Sequence, residues 1–416
     1  MSENTASSQL KTLNPTARQA NQELLRCVAM MMVIVLHYLG KGNLLVSLEE
    51  TRLYPAEVTA WLLESFCIVA VNVYMFISGY FLCTSSFKPS RLFQLWVQVW
   101  MYSAVFGLIG AFTGVIEETT VDTHFFLTLI FPISMNHYWF MTAYAFLYIL
   151  LPFLGLAVRK MTKRQLQTAV LLLLFVFSLL KSILPVRLET DSLGYDCLWY
   201  VCVFAAAAYV RRFGVPFLEK RGRGIALYLG CCLLIFCGTM ILREVYLRTG
   251  SLGLVLKMCM EYNHVLPFLA AAGLFGAFCR LKISGRFAVF VCRIAPYTLG
   301  VYLLHENLGL RYTWQNWLRA DRLLGLMPLQ PDVSTSGRLG LCCSSLSLLL
   351  YTLGAVVCVF AVGILVDMLR AFLMRGLDRG LNVLPPYQRL RGWVLGLDRI
   401  FQGDVEMDRR HSSIDS

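Results

Sequence analysis

Ten long apolar runs, near 24–40, 61–82, 94–116, 138–157, 166–185, 194–213, 225–248, 264–279, 289–308 and 341–369, limit what this chain can become. Their lengths bracket the roughly 20 residues that a helix needs to cross a bilayer. Inside lipid the backbone must satisfy its own polar groups, which leaves helices or a closed barrel. These runs are continuous and do not alternate, so they predict an all-α polytopic membrane bundle of about ten transmembrane helices. Composition agrees: 57% of the 416 residues are hydrophobic and 15% charged, with mean hydropathy +0.63, far too apolar for a soluble domain. Segment 123–135 is too short to span and reads as re-entrant or interfacial. The first run follows a long polar stretch, contains charge and lacks a small-residue cleavage site, so it is not read as a cleavable signal.

Loop charge predicts the orientation. With the N-terminus cytoplasmic, the inside loops after runs 2, 4, 6 and 8 are short and basic, their one acid being Glu219. The outside loop after run 3 carries Glu117, Glu118 and Asp122 without Lys or Arg. This is the positive-inside pattern, and it places both termini inside. The net charge of +12 then reflects topology and anionic lipid, not nucleic acid. The expected organisation is a cytoplasmic segment 1–22, a ten-span domain 23–370 and a basic, partly amphipathic tail 371–416, whose stretch Tyr387–Phe401 suits the inner membrane surface. The fourteen cysteines, with adjacent pairs at Cys231–Cys232 and Cys342–Cys343 but no C-x-x-C, read as small apolar packing residues. No metal site is expected.

The first run holds an arginine and a histidine. Arg26 and His37 are eleven positions apart, three helical turns plus about 20°, so they share a face some ~16 Å apart along the axis. Either has a bland explanation: an Arg near a span end snorkels to the interface, and a His can bond a neighbouring carbonyl. Together they suit a long ligand with an anionic head and a slender arm, as in coenzyme A. On the expected topology every histidine except His411 lies in the outer half or an outer loop. His137 and Trp139 begin run 4 there, and His305 and Glu306 end run 9 there. Interfacial enrichment explains part of this; the alternative is an outer polar site centred on His37, with Glu306 orienting an imidazole. Ser78 ends run 2 on the inner side, followed by Lys88 and Arg91. Arg293 lies a turn inside run 9, where a guanidinium prefers a polar cavity or an anion.

Four stretches carry a family resemblance: "ELLRCVAMMMVIVLHY" (Glu23–Tyr38), "VNVYMFISGYFL" (Val71–Leu82), "HYWFMTAYAFLYILLP" (His137–Pro152) and "YTLGVYLLHENLGLR" (Tyr297–Arg311). In this order, on a ten-span frame, they resemble the acyltransferase 3 family over about residues 20–370, in the form found among Gram-positive members. The resemblance implies a multi-pass enzyme of the bacterial cytoplasmic membrane. It would transfer an acyl group, acetyl foremost, from cytoplasmic acyl-CoA to a hydroxyl of a cell-surface or lipid-linked glycan. It implies His37 as base, with His305 and Glu306 beside it; Arg26, Arg293, Ser78, Lys88 and Arg91 toward the coenzyme; and Tyr38, His137 and Trp139 toward the acceptor. Two departures stand out. Tyr38 occupies a position where many members carry a second histidine, and the basic pair that often follows the second span is reduced to the spaced Lys88 and Arg91. A transporter or flippase for a glycan or small anion would also account for intramembrane charge. It predicts paired broken helices in two related halves, and no internal repeat is visible.

Overall fold

The computed structural model describes residues 19–116, 121–184, 192–319 and 345–401, and every regular element among them is helical. In chain order these are α1 (Ala20–Lys41), α2 (Pro55–Cys67), α3 (Ala70–Leu82), α4 (Pro89–Phe112), α5 (Thr123–Ile130), α6 (Trp139–Lys160), α7 (Lys163–Leu174), α8 (Leu180–Ile183), α9 (Cys197–Phe213), α10 (Pro216–Glu219), α11 (Arg223–Thr249), α12 (Val265–Cys279), α13 (Gly285–Ile294), α14 (Thr298–His305), α15 (Trp314–Trp317), α16 (Ser345–Leu381) and α17 (Pro385–Ile400). Glu117, Glu118, His411, Cys342 and Cys343, most of 1–22, the end of the tail and the start of run 341–369 lie outside the described residues.

Nine stretches among the described residues are long and apolar enough to cross a membrane. The sixth expected run, 194–213, is the exception by length alone: α9 has 17 residues, a rise of about 26 Å. It can be short because protein covers it. α3, α6 and α7 pack around it, and Leu198 is its one exposed residue. The last run extends further than expected, since α16 continues to Leu381 over 37 residues, roughly 55 Å, well beyond the hydrocarbon. Segment 123–135 holds only the eight-residue α5. The tail stretch forms α17, tied to α4 where the Asp398 carboxylate accepts the Ser90 N–H (2.9 Å) and hydroxyl (2.6 Å).

α1 sits at the centre, against α2, α3, α12, α13, α14 and α16. Leu25, Ala29, Ile34 and Leu39 on it are fully enclosed. Two of the crossing stretches near it are interrupted. Pro55–Leu82 breaks between α2 and α3 at Ile68–Val69, and Gly285–His305 breaks at a 3-10 turn, Ala295–Tyr297, between α13 and α14. Pro296 lies in that turn, and a proline has no N–H to continue an α-helical ladder. Gly79 lets α3 approach α9 closely, because a Cβ there would stand 2.8 Å from the Ala207 Cβ and 3.0 Å from the Phe204 Cα. Packing therefore accounts for this glycine, and the preceding residue, Ser78, turns toward an internal cavity.

Candidate active site

The cavity has a volume of about 520 Å³ and follows the polar face of α1. Arg26, Ser78 and Arg91 line one end, and His37, Trp139, Tyr262 and Tyr302 line the other, with Tyr74 and Tyr144 also on its wall. The broken span contributes Ala295, Pro296, Thr298 and Leu299 to the same wall, so the interruption between α13 and α14 opens space beside α1. Arg26 is held by an ion pair from its Nη1 to Glu23 Oε2 at 2.6 Å. The Tyr74 hydroxyl donates to the Arg26 carbonyl at 2.8 Å, fixing this part of α1 against α3.

At the other end the hydrogen bonds determine which nitrogen of His37 is basic. His305 Nδ1 is 2.6 Å from the Val301 carbonyl. A carbonyl only accepts, so Nδ1 carries the proton and Nε2 of a neutral His305 is an acceptor. That Nε2 lies 2.9 Å from His37 Nδ1, which must therefore donate; Glu306 Oε1, 3.1 Å from the same nitrogen, is a second acceptor. This assigns the Nδ1–H tautomer to His37 from its partners and leaves Nε2 as the unprotonated nitrogen. Behind Glu306, the Lys41 ammonium contacts both carboxylate oxygens, with Oε1 at 2.5 Å. Arg311 then locks the turn, its Nε and Nη2 donating to the Glu306 carbonyl (3.2 and 3.0 Å) and Nη2 also to the His137 carbonyl (2.9 Å). His37, His305 and Glu306 place one ligand atom each within 4.8 Å of one another, a spacing that could hold a metal ion. Here the Lys41 ammonium covers the carboxylate where a cation's charge would be balanced.

The acyltransferase-domain model of the acyltransferase 3 family matches residues 20–368. The chain belongs to the acyltransferase 3 family. The matched region contains every residue of the cavity and of the histidine cluster, and no curated protein and no solved structure matches the chain. The protein is a multi-pass membrane acyltransferase.

In this acyltransferase, His37, Arg26, Ser78, Arg91 and Trp139 share the cavity wall, and His305 and Glu306 contact His37 from behind it. The structure does not bring the other four expected residues there. Tyr38 follows His37 by about 100° of helix, is buried, and stacks on Trp314 at 5.9 Å. His137 stacks on Tyr138 at 4.0 Å, and its Nδ1 lies 3.0 Å from the Ser103 hydroxyl. Burial first, then the Arg311 guanidinium, pushes the His137 imidazole down to about 3, so it is neutral at physiological pH. Arg293 is exposed on α13, which turns Val291 inward instead. Lys88 caps the start of α4, its N–H donating to the Tyr148 hydroxyl at 3.3 Å.

Sequence reasoning passed over three groups of this acyltransferase. Lys41 is four residues after His37, the spacing at which helical side chains meet, but a lysine at a span end reads as an interfacial anchor. Tyr302 is three residues before His305, lines the cavity and has a buried hydroxyl beside the Phe140 backbone. Arg311, which joins two separate turns, left no signal beyond being charged.

Proposed function

We propose that this acyltransferase moves an acyl group, acetyl foremost, from cytoplasmic acyl-CoA to a hydroxyl of a cell-surface or lipid-linked glycan in a bacterial membrane. One observation carries the reading: a single cavity joins a cationic end, with Arg26 and Arg91, to an imidazole with a free Nε2. At about 520 Å³ it has the size of an ordinary small-molecule pocket, roughly 300–1,000 Å³. It suits the slender arm and acyl end, with the nucleotide phosphates at the Arg26 mouth. Guanidinium groups match phosphate geometry, and Ser78 adds a hydroxyl donor.

A hydroxyl is a weak nucleophile at neutral pH and needs a base within hydrogen-bond reach. His37 Nε2 takes the proton as the hydroxyl oxygen attacks the thioester carbonyl. The carbon–sulfur bond breaks, and the proton passes from the imidazolium to the departing thiolate. While the ring is charged, Glu306 faces its Nδ1–H and stabilises it, and His305 fixes its plane. Tyr302 lines the same end, and its phenol is the donor we assign to the negative charge that develops on the carbonyl oxygen. Tyr302→Phe is accordingly expected to lower turnover about 10- to 100-fold, below the roughly 10²–10³ of a strong oxyanion donor, with little change in KM for the donor. An unchanged turnover number would remove Tyr302 from this role.

Arg26→Ala and Arg91→Ala should each raise the acetyl-CoA KM several-fold, and the pair should act more than additively, since both face one end of one cavity. Desulfated or dephosphorylated donor analogues are not needed to see this; steady-state kinetics at varied acetyl-CoA suffices. The direct test uses purified protein, radiolabelled acetyl-CoA and extracted envelope lipids and glycans. Label in the saccharide fraction supports the reading. Failure to bind or turn over any acyl-CoA would sink it in favour of a transport role.

A further inference from the structure

A cavity of about 910 Å³ opens where α10, the start of α11 and the end of α12 meet, and no residue lines both it and the cavity beside α1. Four cations stand on its wall, Lys220, Arg221, Arg280 and Lys282, and no acid does. All four residues are exposed, and none of their side chains has an ion pair or hydrogen bond among the described residues. Glu219, next to Lys220 in sequence, lies against Gly214 instead. The backbone adds to the same charge. α11 starts here without a side-chain cap: Gly222 holds the N-cap position at φ 80°, and Gly224 and Ile225 of the first turn are on the wall. First-turn N–H groups have no acceptor within their own helix and favour an anion. The opposite pole, at the end of α12, is covered from α1, where Asn21 Nδ2 donates to the Phe278 carbonyl (2.9 Å) and the Cys279 carbonyl (3.4 Å).

We propose that this cavity holds the phosphate of an anionic phospholipid, with acyl chains laid along the Ile225–Leu229–Leu233 side of α11. The positive-inside pattern accounts for how many cations these loops carry. It does not gather cations from two separate loops around one cavity with a bare helix end in its wall. Guanidinium forks match phosphate oxygens, and a basic pocket between spans suits an anionic headgroup. The apolar rim selects a lipid as the source of that phosphate. Ile225 and Leu281 line the cavity and are exposed, and Leu229 and Leu233 continue the Ile225 side of α11 at four-residue spacing, also exposed. A free phosphate gains nothing from such a rim. A zwitterionic headgroup would place its own cation among the four already there. The site goes beyond acyl transfer: it ties the α11–α12 pair to one class of lipid.

The test is native mass spectrometry of the full-length protein in neutral detergent, titrated with phosphatidylglycerol and with phosphatidylcholine of the same acyl chains. The wild type is expected to retain phosphatidylglycerol at least tenfold more tightly. A cation facing an anionic headgroup contributes roughly fivefold, so Arg221→Gln with Arg280→Gln should weaken phosphatidylglycerol about 20-fold. Lys220→Gln with Lys282→Gln should do the same through an independent pair, which guards against misfolding in the first. Lys160→Gln with Lys163→Gln removes equal charge from the turn between α6 and α7 and should leave binding within twofold. Equal loss in that control would overturn the site in favour of diffuse surface charge. Unchanged binding in both cavity variants would overturn it as well. Displacement of the lipid by an equal concentration of inorganic phosphate would make this a free-phosphate site, and displacement by acetyl-CoA would assign it to the donor; either result sinks the proposal. Binding is read without turnover, so the outcome is independent of the acyl-transfer reading.

Discussion

Replacing His37 by alanine is expected to lower acyl transfer by roughly 10²–10⁴-fold, the range for losing a positioned general base, while acetyl-CoA binding stays near wild type. The separation follows from the geometry. The cations that face the donor are at the Arg26 end of the cavity, and His37 is at the other. Equilibrium binding of labelled acetyl-CoA, run beside the transfer assay, reads the two effects independently. Transfer at the wild-type rate would remove His37 as the base. Loss of binding together with transfer would show instead that the imidazole supports the cavity and not the chemistry.

The second large effect concerns the carboxylate behind that imidazole. Glu306 is buried and joins Lys41 to His37. Glu306→Ala leaves the ammonium without its acceptor and the Nδ1–H with His305 Nε2 alone. Breaking a buried pair from one side costs about 3–5 kcal/mol, and the lower end applies here because the Lys41 side chain is 24% exposed. The readout is thermal unfolding in detergent followed with a thiol-reactive dye, which works because cysteines such as Cys67, Cys202 and Cys232 are free and buried. Lys41→Met combined with Glu306→Gln should recover most of the lost stability by removing both charges. Transfer should remain about a hundredfold down, because a neutral amide holds the His37 tautomer but does not stabilise the imidazolium. An unfolding temperature that does not move in Glu306→Ala would show that the pair contributes nothing. Full activity in the double variant would free Glu306 from any part in the reaction.

The bundle was legible because lipid leaves the backbone so few options, and Arg26 and His37 were legible because helix periodicity alone puts them on one stripe. What escaped was rotation and interruption. Tyr38 is adjacent to His37 in sequence yet stacks on Trp314 behind it. His137 and Arg293 were placed by depth, and depth carries no information about which way a side chain faces. The break at Ala295–Tyr297, which gives the cavity one wall, sits inside an unbroken apolar run. Pro296 marked the spot, but a proline within a membrane helix does not by itself distinguish a bend from a break. Lys41 and Tyr302 went unnoticed because charge and aromatic hydroxyls are ordinary near span ends. Their importance arises from α14, more than 250 residues along the chain, folding back against the end of α1.

The sheltered position of α9 has a consequence for how the protein meets membranes of different thickness. A helix in contact with lipid must match the hydrocarbon by tilting or by deforming the bilayer. α9 makes no such match, because its neighbours stand between it and the acyl chains. Adjustment falls to the periphery: α4, α11 and α16 carry exposed apolar faces such as Phe112, Leu234 and Leu365. Their outer faces meet the acyl chains, while Gly79 stays seated on Ala207 and Ser78 on the cavity wall inside. A change in lipid composition therefore meets those outer faces first and α9 last.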